Sequence, residues 1–305
     1  MLTLKQLVLA CKFRRDFLRG DRKRDAGLTT PEDVIRYDDI VYGDAKKYLR
    51  YQKLDVYRPK GVEGKLPVIV SVHGGAWVYG TKETYQFYTM QLARQGFAVI
   101  NFSYRLAPEN RFPAMLEDTQ KVFEWLSDSS NAEKFGFDLN NVFALGDSAG
   151  AHLLSLYASA LTNPEYAKEL PFIKKTVPIK GLCLNCGKYD MGFNLANDYK
   201  MRLVVENLMP EKGSEKELKH INAFLHLTKD FPPAFIMSCP GDFLLEESIK
   251  MDKIMSELGI THEYHCYGSE EKPLWHVFHC DLRIEEGTIC NADECNFFKK
   301  FIVQE

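Results

Sequence analysis

The sequence predicts an α/β fold built on one mostly parallel eight-stranded sheet, with helices on both faces and a small helical cap. Three observations carry this. Short apolar, β-branched runs alternate with longer stretches in which apolar residues recur every three or four positions, the pattern of a sheet covered on both sides. No internal repeat or low-complexity stretch interrupts them. The 305 residues, 45% hydrophobic and 27% charged, suffice for a large core, since a chain of about 300 residues buries roughly 75% of its unfolded surface. Disorder, collagen-like repeats and a small disulfide scaffold are thereby excluded.

Strands are expected at 34–41, 53–57, 67–72, 98–103, 142–145, 179–184, 234–238 and 263–267. Helices are expected at 83–94, 114–127, 148–161, 245–258 and 293–303. Two segments lie outside this alternation. Residues 1–30 read as an amphipathic helix, and residues 188–230 as an insertion with Leu203, Val204, Leu208, Leu218, Ile221 and Leu225 at helical intervals. An insertion of that size near the carboxyl ends of parallel strands suits a cap, and both segments are read as one on a single domain spanning 1–305.

The formal net charge of −3 gives no global field to attract nucleic acid or anionic lipid. The basic run Lys12, Arg14, Arg15, Arg19, Arg22, Lys23 and Arg24 is expected to be the solvated face of the first helix. Apolar runs of about five residues are far below the roughly 20 that a membrane span requires. Leu7–Cys11 is likewise too short for a lipoprotein signal, which needs about 7–15 apolar residues. The eight cysteines lie mostly among apolar neighbours, and Cys183-x-x-Cys186 falls in a strand pattern without a second pair at zinc spacing. A reducing cytoplasm is expected.

Gly146-Asp-Ser148-Ala-Gly150 directly follows one expected strand and directly precedes a helix. In that setting the two glycines allow a sharp turn that exposes Ser148 on a strained corner, as an acyl-transfer nucleophile requires. His73-Gly-Gly-Ala-Trp77 ends another strand, and its backbone amides, with that of Ala149 at a helix start, are candidate donors to a developing oxyanion. His73 itself reads as a structural hydrogen bonder. Tyr104-Arg-Leu-Ala-Pro-Glu109 has no evident chemistry and reads as a buried polar brace.

These three motifs, with Phe112-Pro-Ala114 and Asp118, resemble those of the hormone-sensitive-lipase-like branch of the α/β hydrolases, particularly its bacterial acetyl and short-chain esterases. The resemblance covers roughly residues 45–300. It implies the α/β-hydrolase fold and an oxyanion hole of Gly74, Gly75, Ala76 and Ala149, in which Gly75, Ala76 and Ala149 donate and Gly74 supports the turn. Ala76 stands where the family often has a third glycine, but alanine keeps the amide. The Ala-Trp pair also resembles the formamidase-like branch.

In this fold the chain order is nucleophile, acid, histidine. Asp242 follows a strand through Cys239-Pro-Gly241, and the family's Asp-x-Leu-x-acid pattern matches Asp242–Glu246. Asp190, also after a strand, is the second candidate; Asp198, Asp230 and Asp252 read as solvated. His276 and His279 lie beyond the last strand, and the family's His-x-Phe context matches His276-Val-Phe278. His152 reads as a packed helix residue, and His220 and His226 as solvent-facing. The expected activity is serine carboxylesterase hydrolysis of a small-molecule ester with a short, acetyl-like acyl group, through Ser148, His276 and Asp242 and without metal or organic cofactor. An amidase or arylformamidase on the same residues and a non-catalytic binding protein are the alternatives. A homodimer is left open.

Overall fold

The computed structural model describes residues 4–44, 46–48, 50–192 and 195–304. Within the 188–230 segment, Phe193 and Asn194 lie outside the described residues. The strands are β1 (Val34–Val41), β2 (Lys53–Pro59), β3 (Leu66–Val72), β4 (Ala98–Ser103), β5 (Phe137–Asp147), β6 (Ile179–Asn185), β7 (Ala234–Ser238) and β8 (His262–Cys266). They form one sheet in the order β1-β2-β4-β3-β5-β6-β7-β8. β1 and β2 pair antiparallel to their neighbours, and every pairing from β4 to β8 is parallel.

The helices are α1 (Leu4–Arg24), α2 (Lys82–Ala93), α3 (Ala114–Ser127), α4 (Ser129–Phe135), α5 (Ala149–Thr162), α6 (Pro164–Glu169), α7 (Tyr199–Leu208), α8 (Glu215–His220), α9 (Leu245–Glu257) and α10 (Glu285–Lys299). Alternate strand residues face opposite sides. Val68, Val70 and Ala144 join one core with residues of α3 and α5, whereas Ile69, Phe143 and Leu145 join a second with residues of α2 and α10. Both faces are therefore dry, which explains why the central strands read as continuous apolar runs.

Most boundaries shift by a residue or two, and three of the differences from expectation have a physical reason. β5 starts at Phe137 because Phe137 and Asp138 pair with Leu66 and Pro67 ahead of a register shift, an extension hidden by the polar stretch Asp138–Asn141. α10 starts at Glu285, not 293. The start lies around Gly287, where a Cβ would come within 2.7 Å of the Asp281 carbonyl oxygen, so the glycine serves a close approach. Ser148 is the N-cap of α5, not its first residue.

The basic run on α1 is solvated only in part. Lys12, Arg15, Arg19, Arg22 and Lys23 are exposed, but Arg14 and Arg24 turn inward. Arg14 donates to the carbonyls of Val78 (2.8 Å) and Ala107 (2.9 Å) and grips Glu109 with two bonds. Arg24 donates to the Thr84 carbonyl and pairs with Asp21 and Asp25. The 188–230 segment packs down through Phe112 N to Leu208 O (2.9 Å) and His152 Nε2 to Ile221 O (2.8 Å).

The Tyr104–Glu109 block braces the sheet as expected. Buried Asp118 accepts from the Arg105 backbone (2.9 Å), the Arg105 guanidinium (2.8 Å to Nη2) and Gln52 Nε2 (2.6 Å). Removing one partner of a buried pair leaves the other charge uncompensated, at a cost of about 3–5 kcal/mol. Asp118→Ala should therefore lower unfolding stability by about that amount, read from the urea midpoint; a shift under about 1 kcal/mol would show that the brace is not structural.

Candidate active site

The corner after β5 is crowded. A Cβ on Gly150 would lie 1.9 Å from the Val72 carbonyl oxygen, and one on Gly146 would lie 2.6 Å from the Gly150 carbonyl carbon. Only glycine at both positions lets α5 begin against the end of β3. The chain reverses through Ser148, which has φ 51° and ψ −112°, a conformation costly for a residue with a side chain. It is held by Ser148 N to Asn185 O (2.9 Å) and Lys188 N to Ser148 O (3.3 Å). The Ser148 hydroxyl does not cap the helix, so it is not spent on α5's own amides.

Beside it, Gly75, Ala76 and Trp77 have φ of 109°, 50° and 58°, a run of left-handed backbone that residues with side chains rarely adopt. A Cβ on Gly75 would meet the Tyr79 carbonyl oxygen at 2.3 Å. The amides of Gly75, Ala76 and Ala149 donate to no acceptor among the described residues. Gly74 differs, as the turn-supporting place expected for it requires. Its N–H is already committed to Asp147 Oδ1 and Tyr85 Oη, both at 3.0 Å. Asp147 is thus the tie between the serine corner and the glycine loop.

Asp242 lies in the loop after β7. Its Oδ1 accepts from His276 Nδ1 (2.8 Å) and Leu244 N (2.9 Å), and its Oδ2 from Ser238 Oγ (2.9 Å). Burial opposes the charge, but the hydrogen bond and attraction from His276 and the Leu244 amide outweigh it and hold the carboxyl below its usual range. With Nδ1 donating to the carboxylate, Nε2 of neutral His276 is left as the acceptor. Cys186 Sγ, an Asp242 oxygen and a His276 nitrogen lie within 4.8 Å of one another. Because Asn185 and Lys188 hold the Ser148 backbone on either side of Cys186, serine, histidine and aspartate share one end of the sheet. Phe243, 74% exposed, lies over His276 at 4.4 Å between ring centroids, and Trp275 is 50% exposed.

The remaining histidines and aspartates fall elsewhere. His279 is buried and held down to about 3 by desolvation. His73 is buried, stacks on Tyr104 and donates Nδ1 to the Gly74 carbonyl. His152 is buried against Trp77. His226 is not solvent-facing as expected, because it stacks on Tyr166 at 3.7 Å; His220 pairs with Glu169. Asp190 accepts from Gly192 N, and Asp198 caps α7.

Sequence reasoning missed two buried acids. Burial pushes Asp147 up to about 6 and Glu294 up to about 7. Glu294 accepts from Tyr88 Oη (2.8 Å) and Asn185 Nδ2 (2.6 Å), so it backs the residue whose carbonyl holds Ser148 N. The signal was present, since Cys290, Glu294, Phe297 and Phe298 fall on one helical face. A buried Lys188–Glu247 ion pair, with Glu247 also accepting from Tyr189 N and Asp190 N, fixes the start of the 188–230 segment.

Comparisons with known proteins bear on the family and the fold. The BD-FAE family model matches residues 54–251. Esterase LipC of Mycobacterium tuberculosis is 37% identical over 134 residues, 43% of this chain but only 32% of LipC. The versiconal hemiacetal acetate esterase of Dothistroma septosporum is 27% identical over 248 residues, 78% of this chain and 74% of that protein. Among solved structures, esterase B from Lactobacillus rhamnosis superposes with a TM-score of 0.88 at 24% identity, covering 99% of this chain and 96% of its own.

The raised acids set a pH dependence. A carboxyl raised to about 7 on folding keeps its proton while the unfolded chain has lost it above about pH 4.5, so the folded state binds more protons in that window. Stability should fall as pH rises from about 4.5 to 7, by on the order of 3 kcal/mol for Glu294 alone. Glu294→Gln should flatten that part of a urea-midpoint profile. An unchanged slope would mean that Glu294 titrates normally.

Proposed function

The chain belongs to the BD-FAE family, within the hormone-sensitive-lipase-like α/β-hydrolase esterases, and from that premise we propose that it is a serine carboxylesterase for short-chain acyl esters. The observation that carries this reading is the His276 Nδ1 to Asp242 Oδ1 bond of 2.8 Å at the sheet end where Ser148 is held on its strained corner.

Each group has one task. Ser148 Oγ attacks the ester carbonyl carbon while His276 Nε2 takes its proton, and Asp242 fixes the ring tautomer and balances the imidazolium that forms. The charge moving onto the carbonyl oxygen is met by the amides of Gly75, Ala76 and Ala149, the last at the positive end of α5. His276 returns its proton to the departing alcohol as the C–O bond breaks, which leaves an acyl-serine. Water then attacks with the same proton path reversed, releasing the acid and restoring Ser148. Residues 1–30 and 188–230 act as cap elements over this end of the single domain, with α1 bracing the glycine loop through Arg14.

Two similarities support a short acyl group. The Dothistroma relative is named for an acetate ester, and esterase B from Lactobacillus rhamnosis was solved with a C4-C4 tributyrin phosphonate.

Ser148→Ala should lose fluorophosphonate labelling, read by intact mass, and roughly 10⁴-fold or more of kcat. Labelling that persists would remove Ser148 as nucleophile. Across p-nitrophenyl esters, kcat/KM should peak between acetate and butyrate. An open apolar groove would instead gain about 0.8 kcal/mol for each added methylene, so a rise continuing through octanoate would overturn the short-chain reading.

A further inference from the structure

The thiol beside the acid–base pair has no task in hydrolysis. Cys186 follows β6 in a left-handed conformation with φ 46°, fixed by its N–H to the Met237 carbonyl at 2.8 Å. Its Sγ is buried and lies within 4.8 Å of both an Asp242 oxygen and a His276 nitrogen, while His276 is half-buried. The site therefore offers one sulfur, one imidazole nitrogen and one carboxylate oxygen, and of the three residues only His276 is partly exposed. That is the donor set of a zinc site with three protein ligands and a free fourth position. We propose that Cys186, Asp242 and His276 form a binding site for a thiophilic divalent cation such as Zn²⁺, and that occupancy switches hydrolysis off.

The geometry requires little movement. Bond lengths of about 2.0–2.3 Å put tetrahedral ligand atoms about 3.3–3.8 Å apart. The Asp242–His276 contact of 2.8 Å has to open by less than about 1 Å to admit the ion, and the exposed edge of His276 under Phe243 is the way in. The proton balance is explicit. The thiol releases its proton to solvent as the S–metal bond forms. The ion takes the Nδ1 lone pair, so the ring proton moves from Nδ1 to Nε2. Metal, thiolate, carboxylate and neutral imidazole then make a charge-neutral cluster, and Nε2 carries a hydrogen where it must accept one from Ser148. Inhibition rests on the proposed role of His276; metal binding does not.

The experiment uses the full chain with the exposed Cys11 and Cys266 replaced by serine, stripped with EDTA. Titration with Co²⁺ should give a thiolate charge-transfer band in the near ultraviolet that saturates at one ion per chain. The band should vanish in Cys186→Ser and in Cys186→Ala, whose folding is checked by circular dichroism and melting, and persist in Cys239→Ser. With p-nitrophenyl acetate, Zn²⁺ should inhibit reversibly, and its half-inhibiting concentration should rise more than about tenfold in Cys186→Ser, beyond the lower bound for loss of even an outer-shell partner. A band retained without Cys186, or lost with Cys239, overturns the site. A Cys186-dependent band in a chain that hydrolyses no ester upholds the metal site and removes the esterase reading, whereas zinc-insensitive hydrolysis without the band does the reverse.

Discussion

The site depends on a contact with no spare room, that of the first turn of α5 against the last carbonyl of β3. Val72 and Gly146 sit in register on adjacent parallel strands, and Gly150 comes back over them so closely that a methyl group would overlap the Val72 oxygen. Everything distinctive about Ser148 follows. Its backbone takes up the reversal, and α5 presents its free amides at the carboxyl edge of the sheet. The glycine loop leaving β3 also comes within a hydrogen bond of Asp147. Two strands and one helix thus place the proposed nucleophile and the proposed oxyanion donors in one rigid piece.

The acid–base pair sits on loops after β7 and β8, and the surrounding polar bonds supply its order. Asp242 spends both oxygens on named donors, so the ring of His276 has one orientation that satisfies it. Behind the serine the environment is of another kind. Asp147 and Glu294 are carboxyls in a dry layer, each tied to a tyrosine hydroxyl. They work as hydrogen-bonded struts, at a cost in solvation that the local packing has to offset.

Much of this was legible in the sequence for a physical reason. A strand buried on both faces has to be apolar throughout, so the parallel strands announced themselves, and residues at their carboxyl ends, Ser148 and Asp242 among them, could be placed without coordinates. His276 and His279 were separable only by the family context, because burial, which divides them in the structure, leaves no mark on so short a loop. What stayed hidden was set by distant partners. Arg14 and Arg24 look like any other basic residues of α1 until Val78, Ala107 and Thr84 are brought under them. The partners of the Gly74 amide, Asp147 and Tyr85, lie far from it in sequence, and the short helices α4 and α6 are too brief for periodicity to register.

The exposed indole of Trp275 has an optical consequence. It is the residue before His276, while the other two tryptophans, Trp77 and Trp125, are packed in or against the core. The chain therefore carries a fluorophore at the rim of the site whose emission is sensitive to water beside it, against a background from one buried and one partly buried ring. Ligand arrival at His276 becomes an event that intrinsic fluorescence follows in real time, without a label and without turnover.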